Sequence, residues 1–153
     1  EQMKAKRRRS LTEGLPSSLP ALHRAHRLQD RAAGVGFDWP DVGGPLEKIG
    51  EELAEVRSEL ARGPIQYGPG GAPVLDDRHA ALEDELGDLL FACVNLCRKA
   101  GVHASLALDR ANTKFAERFA EVEALAAERG IDVASAGLER LDALWDEVKR
   151  DRG

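Results

Sequence analysis

Apolar residues recur every three or four positions along most of this chain, the period of helices that bury one stripe. Leu46, Ile49, Leu53, Val56 and Leu60 predict a helix from Pro45 to Ala61. Leu82, Leu86, Leu89, Leu90, Cys93, Leu96 and Cys97 predict another from Ala81 to Lys99. Phe91 and Val94 reach round most of its remaining surface, so this segment is expected to be largely buried. Leu108, Ala111, Phe115, Phe119, Val122 and Ala126 predict a helix from Ser105 to Arg129, ended by Gly130. Two shorter helices are expected, from Pro20 to Ala33 with a serine of the preceding Leu-Pro-Ser-Ser-Leu turn as cap, and from Leu138 to Arg150. Residues 62–79 hold Gly63, Pro64, Gly68, Pro69, Gly70, Gly71 and Pro73, and read as an insertion that is either inert or a mobile flap.

At 153 residues the chain is one domain's worth, and 22 basic against 27 acidic residues make it mildly acidic. That balance argues against nucleic-acid binding through the whole surface. The two cysteines, Cys93 and Cys97, stand four apart among apolar residues; the expectation is buried free thiols and a reducing, cytoplasmic setting. No apolar run approaches the roughly 20 residues needed to span a bilayer. The opening Glu1-Gln-Met-Lys4 echoes Asp146-Glu-Val-Lys149 near the end, a pattern that is either chance or the trace of a preceding copy.

Chemistry enters with two acidic pairs, Glu52 with Glu55 and Glu85 with Asp88. A spacing of three places each pair about 60° apart on one helix face, so two carboxylates can aim at one point. Crowding acids is unfavourable unless a cation cancels the repulsion, and oxygen-only ligands suit magnesium, with manganese a possible substitute. No histidine follows any glutamate at a spacing of three, so the di-iron signature of helical bundles is missing. A lone acidic run is most often a solvated face. Asp88, set inside an apolar helix, instead calls for a partner.

Other positions keep two readings each. Asn95 either leaves room for a ligand or is a satisfied core amide. Phe37 and Trp39, in a loop broken by Gly36 and Pro40, either stack on a base or plug the core. Lys114 and Arg118 repel one another unless a polyanion or acids such as Glu117 and Glu121 lie between them. Trp145 with Lys149 suits a nucleotide, or a terminal helix docked by its tryptophan. The Arg24, Arg27, Arg31 stripe reads as a solvated face or, less often for such stripes, a phosphate-facing one, and His23 with His26 lack a third metal ligand nearby in sequence.

The strings Glu51-Glu-Leu-Ala-Glu55, Glu85-Leu-Gly-Asp88 running on to Asn95-Leu, Ala111-Asn-Thr-Lys-Phe-Ala-Glu-Arg-Phe119 and Leu144-Trp-Asp-Glu-Val-Lys149 together resemble the MazG nucleoside triphosphate pyrophosphohydrolases. The spacing between the acidic motifs departs from that pattern, lengthened by the Gly/Pro-rich segment. The resemblance implies an all-α fold with a four-helix-bundle-like core that forms a homodimer. It implies hydrolysis of a nucleoside triphosphate to monophosphate and pyrophosphate, with Glu52, Glu55, Glu85 and Asp88 as magnesium ligands. Lys114 and Arg118 match residues that hold the triphosphate, and Trp145 and Lys149 a nucleotide-contacting pair. Glu52 is the acid expected to orient the attacking water, and Lys114, Arg118 and Lys149 to stabilise the leaving pyrophosphate. Members often carry two such domains, so residues 1–15 read as a basic linker or the end of a preceding domain, and residues 16–153 as the hydrolase domain. Two rivals stand beside this reading: a narrower house-cleaning enzyme for dUTP or dCTP, and a non-catalytic helical interaction module.

Overall fold

The structure, a computed structural model, describes residues 10–151. The first nine residues of the expected linker, and with them the echo at the start of the chain, lie outside that range. The described residues form five α-helices: α1 (Ala21–Gly34), α2 (Gly43–Leu60), α3 (Asp77–Lys99), α4 (Ala104–Glu128) and α5 (Leu138–Asp151). A single 3-10 turn, Pro69–Gly71, lies between α2 and α3. None of these helices is long and apolar enough to cross a membrane.

Local chemistry sets the helix ends. Helix α3 starts four residues before the hydrophobic pattern does, because the Asp76 carboxylate accepts the His79 N–H at 2.9 Å and caps the first turn. No serine caps α1: Leu19 N–H closes a turn onto the Pro16 carbonyl, which takes up Ser17 and Ser18, and Pro20 itself precedes the helix. Gly130 ends α4 with φ of 66°, a left-handed conformation that lets Ile131 N–H reach back to the Ala126 carbonyl at 2.8 Å.

The chain divides into two compact units between Ser105 and Leu106. In the first, α3 packs along α2 and over a shorter length against α1. Pro45, Val56, Ala92, Val94 and Ala104 are its buried apolar residues. Helix α3 is not the wrapped helix its composition suggests. Leu86 and Phe91 are exposed and Leu90 is 59% exposed, since two neighbours cannot cover an apolar surface that reaches round so much of the helix. Asp88 is exposed too, and the buried carboxylate of the acidic set is Glu52, at 8%. Cys93 and Cys97 are free thiols but only half-buried, with burial pushing the Cys93 thiol up.

The second unit packs Val122 and Ala126 of α4 against Leu144 and Val148 of α5, with Leu125, Ile131, Val133, Leu141 and Trp145 around them. The core stripe expected along α4 is buried only in its C-terminal half; Leu108, Ala111 and Phe115 are exposed. The insertion before α3 is a folded turn: Tyr67 bridges to Pro73, Gly68 N–H bonds the Ala72 carbonyl at 2.7 Å, and the Arg78 guanidinium donates to the carbonyls of Gly63 and Pro64.

Candidate active site

In the first unit α2 and α3 bring Glu52, Glu85 and Asp88 together, with one carboxylate oxygen from each lying within 4.8 Å of the others. Among the described residues no other group of three or more histidines, cysteines or acids meets in this way. Burial pushes the Glu85 carboxyl up from its ordinary range, and the charges of Glu55, Asp88, Glu52 and Glu59 add to the shift. Glu55 thus stands outside the converging trio but within its field. The donor set is all oxygen, and the repulsion stored among its members is what a hard divalent cation relieves, so the residues fit magnesium or manganese.

Sequence reasoning passed over Lys48. Its ammonium lies 2.6 Å from Glu52 Oε1, one helical turn before it, and accounts for how a carboxylate stays buried there. The signal was available in the spacing of four between a lysine and a glutamate on α2.

Glu52, Asp88 and Lys48 line a cavity of about 620 Å³ that continues past Phe37, Trp39 and Asn95. The Asn95 Oδ1 accepts two bonds from Arg98, at 3.1 Å from Nε and 2.8 Å from Nη2, so the amide is satisfied and still faces the cavity. Arg98 in turn holds Asp38 at 2.5 Å, and Lys99 reaches the same carboxylate at 3.3 Å. The Arg98 hydrogen bond holds the Asp38 carboxyl well below its usual range, at about 2. Contacts across sixty residues of sequence carry no periodic signal, and this cluster was invisible before the fold. Gln29, buried on α1, also lines the cavity and donates Nε2 to the Phe91 carbonyl at 3.0 Å.

In the second unit the structure pairs Arg118 with Trp145, the guanidinium lying 5.7 Å from the ring centroid. Trp145 packs against the unit's core and Phe115, so it docks α5, while Lys114 and Lys149 are exposed. The arginine stripe of α1 is partly structural: Arg31 donates to the carbonyls of Leu11 and Glu13 at 2.7 Å each. His23 and His26 acquire a third histidine from far along the chain. His23 Nδ1 and His103 Nε2 lie 3.2 Å apart, one donating and the other accepting, and the His26 ring stacks on His103 at 4.3 Å.

The described residues thus define an all-helical protein with a cluster of carboxylates on two paired helices, opening into a mixed polar and aromatic cavity. The family description "MazG nucleotide pyrophosphohydrolase domain" matches residues 45–123, the span that carries both acidic pairs. The chain is 41% identical over 150 residues to the nucleoside triphosphate pyrophosphohydrolase of Escherichia coli K12, an alignment covering 98% of this chain and 52% of that protein. It is 38% identical over 148 residues to the nucleoside triphosphate pyrophosphohydrolase/pyrophosphatase MazG of Thermotoga maritima, covering 97% and 51% respectively. The chain belongs to the MazG family, and it spans about half the length of these relatives.

Proposed function

We propose that the protein hydrolyses nucleoside triphosphates between the α and β phosphates, giving a nucleoside monophosphate and pyrophosphate. The observation that carries this reading is the convergence of Glu52, Glu85 and Asp88 on one point at the edge of a nucleotide-sized cavity. The names of the relatives agree with it.

Glu52, Glu85 and Asp88, with Glu55 close by, would hold magnesium ions. Such ions would let a polyanionic substrate approach an acidic wall, would polarise the phosphorus and would lower the pKa of a bound water. Glu52, buried and paired with Lys48, is the carboxylate assigned to orienting the attacking water. The Lys48 ammonium, on the cavity wall, is positioned to bind a phosphate oxygen. Lys114, Arg118 and Lys149 are assigned to the departing pyrophosphate, and Trp145 with Lys149 to the nucleotide. Their support is the match of their motifs to the family pattern.

The working form is proposed to be a homodimer in the cytoplasm. Leu82, Leu86 and Leu90 line a shallow groove along α3 that no described residue covers, and a second copy would bury it. Free thiols at Cys93 and Cys97 suit a reducing compartment. The test is magnesium-dependent release of pyrophosphate from each common ribo- and deoxyribonucleoside triphosphate. Turnover confined to dUTP or dCTP would narrow the assignment to a house-cleaning enzyme. No release from any triphosphate would overturn it in favour of a helical interaction module.

A further inference from the structure

The aromatic loop between α1 and α2 is held in a way that core packing does not explain. Phe37 is 83% exposed and Trp39 41%, so neither ring plugs the interior, yet both line the cavity that the acidic cluster opens into. Two flat apolar surfaces left open to solvent next to a charged site are costly unless something covers them.

The loop is fastened at two points. Asp38, between the two rings, is gripped by Arg98 at 2.5 Å and Lys99 at 3.3 Å, and its Oδ1 also accepts the Trp39 N–H at 2.8 Å. The Arg98 guanidinium is itself oriented by Asn95, and its side chain is only 10% exposed against 23% for Asp38, so the pair is shielded from solvent rather than fraying in it. On the other side the Trp39 ring lies flush on Gly44, where a Cβ would come within 2.3 Å of it. Helix α3 therefore presents Asp88 at one point and, ten residues or about 15 Å further along, the arginine that fixes the aromatic wall. One rigid element relates the cation site to the rings.

We propose that Asp38 and Arg98 are positioning residues for substrate, holding the Phe37 and Trp39 rings where a nucleobase stacks while α2 and α3 take the phosphates. This rests on the pyrophosphohydrolase reading and adds to it the place and the support of the base site. Base stacking is indifferent to base identity, so the arrangement selects nucleotides over inorganic polyphosphate rather than one base over another.

The experiment is calorimetric titration of the full chain in magnesium with two non-hydrolysable probes, α,β-methylene-ATP and the base-free methylenediphosphonate. For Asp38→Asn the expected result is about tenfold weaker binding of α,β-methylene-ATP, with less than about twofold change for methylenediphosphonate. Asp38→Glu should restore most of the loss. Arg98→Lys, which keeps the charge but loses the two-pronged grip, should shift the same ratio if Asp38→Asn fails to fold. Equal weakening of both probes, or no change in their ratio in a folded variant, overturns the inference. A wild-type protein that discriminates the probes but releases no pyrophosphate overturns the hydrolase reading alone, and one that binds neither probe overturns both.

Discussion

The ammonium of Lys48 sits 2.6 Å from Oε1 of Glu52, so the buried carboxylate of the acidic trio already carries a cationic partner. If the proposed metal site is right, that partner would compete with the metal for one oxygen, and its displacement would leave the ammonium available to a phosphate. Lys48→Met should therefore slow pyrophosphate release by at least about tenfold while lowering the magnesium concentration needed for half-saturation. Steady-state rates across a magnesium titration would show both changes; a variant that needs more magnesium contradicts this role.

Burial and the neighbouring acids raise the Glu85 carboxyl, which means the metal-free fold works against crowded negative charge. Asp88→Asn removes one repelling charge and one ligand together. Its melting temperature without metal is expected to rise above wild type, its gain on adding magnesium to vanish, and turnover to fall by more than about 100-fold. Thermal melts with and without magnesium, set beside the pyrophosphate assay, check all three.

Acid should loosen the first unit. Burial lowers the pKa of His26 below 6.5; Asp30 opposes the shift, while His103, Arg98 and His23 reinforce it. The folded chain thus binds that proton less readily than the unfolded chain, so the contribution to stability is whole above pH 6.5 and is lost as pH falls through the folded value. The bond between His23 and His103 also requires one of its facing nitrogens to be unprotonated. A melting temperature that drops between about pH 8 and about pH 5.5, with a shallower drop in His26→Asn, is the expected outcome.

A charge in the α3 groove tests the proposed dimer. Leu90 is exposed in one chain, so Leu90→Glu should leave the monomer fold unharmed and shift the protein to half the mass in light scattering after gel filtration. An unchanged mass would place the dimer contact elsewhere.

The helices were legible because a 3.6-residue period needs only local sequence, and Gly130 and the acidic pairs announced themselves through spacing alone. Burial was not legible. The apolar run from Leu82 to Cys97 shows how much of α3 can be covered, but its actual neighbours decide which side is, which is why Asp88 is exposed and Glu52 is the buried acid. Asp76 moved the start of α3 because a single cap outranks the first apolar residue of a stripe. The Asp38–Arg98 contact and the third histidine, His103, depend on how distant segments meet, and no window of sequence holds that information.

The folded turn ahead of α3 has a practical consequence. Arg78 ties its base and the Tyr67–Pro73 bridge closes its neck, so the tip at Pro69–Gly71 is separated from the flanking helices by a closed turn. An affinity tag or a fluorophore grafted there is expected to leave the register of the carboxylates unaltered, which makes that tip a natural handle for immobilising the protein.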